Sequence, residues 1–180
     1  MNKGLSEERF KKIYTQYVDE IYQYVFLRTG LNTVVAEDLT QDVFLDVFKG
    51  LKKFKGLCSE RTWVFKITKN KVNDFYRKQY RQCLEPVHIE DDFTVSISDP
   101  KQDIGAFMDK SFKSECIIEC LNQLPKHYTL VLLMKYIDGR SVKEIATITN
   151  KSAKAIENIL LRAKAGFIKA YQTLKTEEIQ

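Results

Sequence analysis

Between Glu8 and Arg28 the apolar residues Phe10, Ile13, Tyr14, Tyr17, Val18, Ile21, Tyr24 and Val25 recur at intervals of three and four. That spacing puts them on one face of a helix, and Gly30 ends it. A second helix is predicted over Val34 to Leu51, with Leu39, Val43, Phe44, Val47 and Leu51 turned inward and Asp38, Gln41, Asp42 and Asp46 outward. Phe54 to Glu60 reads as a loop. A third helix runs on to Gln82, with Trp63, Ile67 and Phe75 as its core residues. Residues 83–103 mix β-branched and acidic side chains without a period and contain Pro86 and Pro100, the pattern of a linker.

Beyond the linker, helices are predicted over Phe107 to Leu121, Lys126 to Ile137, Val142 to Ile148 and Ser152 to Leu174. Pro125 suits a helix start and Asp138-Gly139 a stop, while Leu130, Val131, Leu133 and Met134 face inward. A short helix, the Thr149-Asn150-Lys151 turn and a longer basic helix follow the helix-turn-helix plan, in which the second helix enters the major groove of duplex DNA. Ala146 is small where two helices approach, and Ile156 and Leu160 lie beneath the reading helix. Generic helical hairpins share this pattern.

Composition agrees with helices throughout. Of 180 residues 44% are apolar and 29% charged, with only seven Gly and three Pro, which argues against a sandwich or barrel and for an all-α chain with one ordinary core or two small ones. No run of about 18 apolar residues exists, and Met1 to Arg9 carries no apolar stretch behind a basic start. The expectation is a cytoplasmic chain with no membrane contact of its own. In that reducing compartment Cys58, Cys83, Cys116 and Cys120 are expected to be free thiols.

Charge is segregated. Residues 1–48 carry five basic and eight acidic residues, whereas 49–81 carry eleven basic residues against Glu60 and Asp74. Residues 82–110 hold seven acids against Lys101 and Lys110, and 126–175 return to ten basic against three acidic. Two basic blocks joined by an acidic connector suggest two modules that each meet a polyanion. Other chemistry finds little support. Cys116 and Cys120 share a helix face near His127, but a zinc site needs a fourth ligand and tighter spacing, so buried free cysteine is the better reading. His88 has no paired acid or nucleophile. No Gly-rich phosphate loop, metal-ligand cluster or triad spacing occurs, so neither an enzyme nor a cofactor is expected.

The stretch Ala36-Glu37-Asp38-Leu39-Thr40-Gln41-Asp42-Val43-Phe44-Leu45-Asp46-Val47-Phe48, followed by Phe54-Lys55-Gly56 and Arg61-Thr62-Trp63-Val64-Phe65-Lys66-Ile67-Thr68-Lys69-Asn70, resembles region two of the bacterial extracytoplasmic-function sigma factors. Leu121 to Pro125, Val131 to Tyr136, Gly139 to Ala146 and Leu160 to Ala163 resemble their region four. The resemblance implies two small helical domains, 1–82 and 107–176, joined by the acidic linker 83–106. It implies an initiation subunit that binds core RNA polymerase and directs it to particular promoters under the control of an anti-sigma factor. The rival readings are a sigma-like decoy for an anti-sigma factor and a plain helix-turn-helix regulator.

The resemblance also assigns residues. Asp38, Leu39, Gln41, Asp42, Phe44 and Leu45 would dock on core polymerase, the acids pairing with basic residues of a partner helix. The loop with Lys55, Gly56, Cys58 and Ser59 would receive a flipped base of the minus-ten element, and Lys66, Asn70, Asn73, Asp74 and Arg77 would meet bases and phosphates. Trp63 is expected in the core rather than on a base. Lys135, Ser152, Lys154, Glu157, Asn158 and Arg162 would meet the minus-thirty-five duplex, where Asn suits adenine and Glu suits cytosine. Gly56-Leu57-Cys58-Ser59-Glu60 departs from the Gly-Asp-Ser-type loop common in the family. So do Ala155, Glu157 and Ile159, where a Thr, a basic residue and an Arg are common.

Overall fold

The computed structural model describes residues 3–83 and 114–177. Most of the expected linker, His88 and the predicted start of a helix at Phe107 lie outside the described residues. Those described contain helices and turns and no strand. They fall into two compact units, 1–75 and 76–180, each taken by itself below.

In the first unit α1 spans Lys3–Arg28. It begins earlier than the periodicity marks, because the mostly polar residues before Phe10 leave no apolar period to count. Gly30 and Leu31 both adopt positive φ, 73° and 62°, and reverse the chain while the Leu31 N–H donates to the Phe26 carbonyl at 3.0 Å. Asn32 then caps α2, Thr33–Leu51, accepting from the Val35 N–H at 3.0 Å. Ile13, Tyr17, Ile21 and Val25 of α1 meet a core shared with Ala36, Val43, Phe44 and Val47 of α2.

The third helix, α3, spans Glu60–Gln82 and crosses the boundary between the units. Here the expected core residues need correcting: Trp63, Ile67 and Phe75 are only half-buried, while Val64, Thr68 and Val72 are fully enclosed. A threonine is tolerated inside because its hydroxyl donates to the Val64 carbonyl at 2.9 Å, which satisfies the polar group within the helix. Trp63 instead stacks on Phe54, with ring centroids 4.7 Å apart, and closes over Gly50, where a Cβ would lie 3.1 Å from the indole.

In the second unit α4 spans Ser114–Asn122 and α5 spans Lys126–Leu132. The predicted helix Lys126 to Ile137 is continuous but widens into a π-helical turn, Leu133–Ile137, which ends with the Asp138 N–H on the Leu133 carbonyl at 3.1 Å. Gly139 reverses the chain at φ 66°. Ser141 and Glu144 form a reciprocal capping box at the start of α6, Val142–Thr149. Asn150 ends it in the left-handed region, and α7, Ala153–Glu177, follows at once. Short helix, tight turn and long helix are therefore arranged as the sequence predicts. Ile145, Ile148, Ile156, Leu160 and Ala163 are buried between them. Gly166 lets α7 approach Leu124, since a Cβ there would lie 2.7 Å from the leucine Cδ2.

Ile156 is fully enclosed under α7, whereas Asn158 on the same helix is exposed. Ile156→Ala is expected to destabilise the second unit by about 2–5 kcal/mol, and Asn158→Ala by no more than about 0.5 kcal/mol. Denaturant unfolding of the two variants measures the contrast.

Candidate functional site

Three surfaces carry the residues singled out from the sequence. On α2, Asp38, Gln41, Asp42 and Leu45 are exposed and follow one stripe of the helix. Leu39 is half-buried. Phe44 is only 3% exposed and packs edge-to-face on Tyr14, centroids 4.8 Å apart, so it supports this stripe from beneath rather than presenting itself to a partner. The apolar continuation of the stripe is Leu45, 53% exposed, and Phe48, 43% exposed and in edge contact with Phe10. Phe48 was legible only as the position three beyond Leu45. Asp46, expected outward, is half-buried and pairs with Lys71 of α3 at 3.0 Å.

The second surface is the loop before α3 together with one side of that helix. Phe54, stacked on Trp63, fixes the loop's start. Ser59 fixes its end, accepting from the Thr62 N–H at 3.1 Å and sharing a 2.8 Å hydroxyl contact with Thr62. Between these anchors Gly56 takes φ 71°, and Lys55, Leu57 and Cys58 are exposed, Leu57 by 90%. Glu60 accepts from Arg9 at 3.0 and 2.8 Å, which ties the helix start to α1.

A cleft of about 600 Å³ opens along the first turns of α3, lined by Arg61, Thr62, Phe65, Lys66, Lys69, Asn70 and Asn73. It brings together the expected Lys66, Asn70 and Asn73, and Asp74 and Arg77 lie exposed further along the helix. Arg61, Phe65 and Lys69 were not singled out beforehand, although they follow one another at four-residue spacing. The Arg61 guanidinium lies 4.8 Å from the centre of the Phe65 ring, and that ring meets Tyr24 of α1 edge-on at 5.5 Å. Glu20 of α1 holds the same guanidinium through both carboxylate oxygens. Hydrogen bonding from Arg61 holds the Glu20 carboxyl below its ordinary range.

The third surface is the exposed side of α7. Lys154, Glu157, Asn158 and Arg162 are exposed along its first three turns, and Lys154 and Glu157 form an open 3.9 Å pair. Ser152 is exposed but already caps the helix, accepting from the Ala155 N–H at 3.1 Å. Lys135 stands apart from α7, half-buried on the π turn, with its ammonium 3.4 Å from the Arg140 carbonyl.

All four cysteines are free thiols, and burial pushes the Cys120 thiol up to about 12. Among the described residues no group of three His, Cys, Asp or Glu is placed to hold a metal ion, and no helix is long and apolar enough to cross a membrane.

Two family descriptions match the chain, sigma-70 region 2 over residues 13–82 and sigma-70, region 4 over residues 114–165. The chain is similar to the RNA polymerase sigma factor YlaC of Bacillus subtilis, with 28% identity over 95% of this chain and 96% of that one. The RNA polymerase sigma factor NccH of Alcaligenes xylosoxydans xylosoxydans is 30% identical over 72% of this chain and 69% of its own length. The ECF RNA polymerase sigma factor SigX of Bacillus subtilis is 25% identical over 95% and 88% respectively.

Because the Glu20 carboxyl is depressed in the folded chain, the Arg61 contact is present at neutral pH and is lost as pH falls through that lowered value. In Arg61→Gln the Glu20 carboxyl is expected to titrate back in the ordinary glutamate range. Side-chain carboxyl NMR reads this directly, and an unmoved titration would remove the ion pair as the cause.

Proposed function

This chain belongs to the sigma-70 family of RNA polymerase sigma factors, as one of its extracytoplasmic-function type, with region 2 and region 4 domains, and on that premise we propose how its surfaces divide the work of promoter-specific initiation. The α2 stripe docks on core RNA polymerase. The loop and cleft of α3 hold the melted minus-ten strand, and the exposed side of α7 reads the minus-thirty-five duplex. The supporting observation is that one chain presents an acidic and apolar helix face, a cationic cleft and an open helix-turn-helix surface, each suited to a different partner.

The chemistry of each surface fits its partner. Asp38 and Asp42, one turn apart with Leu45 beyond them, suit a helix that offers basic residues followed by an aliphatic one. On the cleft Lys66 and Lys69 track phosphates and Asn70 offers an amide to a base edge. Asn158 and Glu157 reach into the major groove, where Asn pairs with adenine and Glu accepts from cytosine, while Lys135 and Arg162 hold the flanking backbone. We assign residues 1–82 and 107–176 to the two domains and place the protein in the cytoplasm, where promoter and polymerase meet. Two basic modules left free would bind DNA without direction. A regulatory protein of the anti-sigma type, covering the polymerase and DNA surfaces, follows from that hazard.

In vitro transcription on genomic DNA with core polymerase, with and without this chain, tests the reading, and transcript starts that appear only with the chain support it. Asp38→Ala with Asp42→Ala is expected to weaken core binding roughly tenfold while leaving the fold intact. Unchanged affinity in a titration would remove the docking assignment. Arg162→Ala should lower the salt slope of duplex binding by about one unit, whereas Asn158→Ala should relax base preference at one position. Parent-like slopes and base preferences in both variants would remove the α7 assignment.

A further inference from the structure

We propose that Cys116 and Cys120 of α4 form a two-thiol site that captures a trivalent metalloid of the arsenite class, which bridges their sulfurs across one turn of the helix. Neither thiol belongs to the surfaces assigned above. They stand four residues apart on α4, hence on one face, and are in hydrogen-bonding contact with each other. Both are free thiols. Cys116 is half-buried and within reach of a small solute, whereas Cys120 is fully enclosed.

Helix geometry selects among the reactions of such a pair. Cβ atoms four residues apart on a helix lie about 5–6 Å from each other, and a disulfide needs about 3.5–4.5 Å, so direct oxidation would have to unwind α4. A bridging atom removes that conflict, because two sulfurs joined through a third atom stand further apart than two sulfurs bonded directly. The ligand set then selects the atom. Among the described residues no third His, Cys, Asp or Glu joins the pair to hold a metal ion, and zinc is ordinarily held by three or four protein ligands. A pyramidal trivalent centre needs only two adjacent thiols and keeps one hydroxyl of its own. Protonation selects in the same direction. Burial first, and then the adjoining Cys116, pushes the Cys120 thiol up to about 12, and a metal ion must displace that proton to bind. Arsenous acid carries its own leaving groups. Each S–H proton departs with an arsenic-bound hydroxyl as water, two S–As bonds replace two As–O bonds, and no oxidant or reductant is consumed. The enclosure of Cys120 shields the product from the water that would reverse the reaction. The bridge also staples a helix of nine residues, a length that is marginal alone. That helix packs on α5 and α7, and its Leu121 carbonyl accepts from the Thr129 hydroxyl at 3.0 Å. Capture by the folded chain therefore stabilises the second unit.

Titration of the reduced full chain with arsenite tests the site, read by intact mass, free-thiol count and thermal unfolding. The parent is expected to take up one arsenic atom, lose two titratable thiols and melt several degrees higher. Cys116→Ser and, separately, Cys120→Ala should weaken uptake roughly a hundredfold, because the second bond of a linked pair is lost, and should abolish the melting shift. Cys58→Ser combined with Cys83→Ser should leave both readouts as in the parent. Unfolding of each variant without arsenite reports whether it folds, and X-ray absorption at the arsenic edge of the parent reads the site without any substitution, with two sulfurs and one oxygen expected. No uptake by the parent, parent-like uptake in a folded Cys116→Ser, loss of uptake in the Cys58 and Cys83 double variant, or arsenic bound by one or three sulfurs would each overturn the assignment.

Discussion

The first domain depends on how narrow a stripe α3 buries. Val64, Thr68 and Val72 are the enclosed residues of its middle turns, and the buried Tyr76 and Tyr80 continue them toward its end. That leaves most of the circumference for a dense set of cations, which repel one another and gain nothing from an apolar environment. The arrangement holds because the charges nearest the core are answered from neighbouring helices. Glu20 meets Arg61, Asp46 meets Lys71, and Glu60 of α3 itself meets Arg9. Exposed pairs of this kind contribute little stability singly. Lys66 and Asn70, exposed on the same helix, take no part in them.

The same division explains why α2 can be acidic on one side while α3 is basic. Asp38 and Asp42 are exposed and have no role in the core, so that face carries its acids into solvent. Beneath it Phe44 and Tyr14 join α2 to α1, which makes the exposed stripe a supported surface rather than a loose helix. Rigidity reduces the entropy lost on association.

In the second domain backbone chemistry positions the reading helix. The Ser141–Glu144 capping box starts α6, Asn150 stops it with a left-handed residue, and Ser152 starts α7 two residues later. Three local devices within twelve residues leave the turn little freedom, and Ile156, Leu160 and Ala163 then seat α7 on the core. The side of α7 facing away is consequently open along several turns, as groove insertion requires.

By itself the sequence determined the helices, their order, the helix-turn-helix and the outward acids Asp38 and Asp42 of α2, because a three-and-four spacing, a cap or a left-handed stop acts within a few residues. What it left open was which of two adjacent stripes on a helix is enclosed. On α3 the large residues Trp63 and Ile67 point to one stripe, yet the smaller Val64, Thr68 and Val72 are the ones enclosed. On α2 the sequence puts Phe44 both on the inward face and among the docking residues, and only the packing against Tyr14 decides for the former, leaving Phe44 3% exposed while Phe48 stays 43% exposed. The cleft was the least legible feature. Its rim joins residues 41 apart, Glu20 and Arg61, and its Phe65 ring meets Tyr24 of another helix. No local periodicity encodes which carboxylate of one helix will meet which guanidinium of another, so that pairing exists only once the helices have packed.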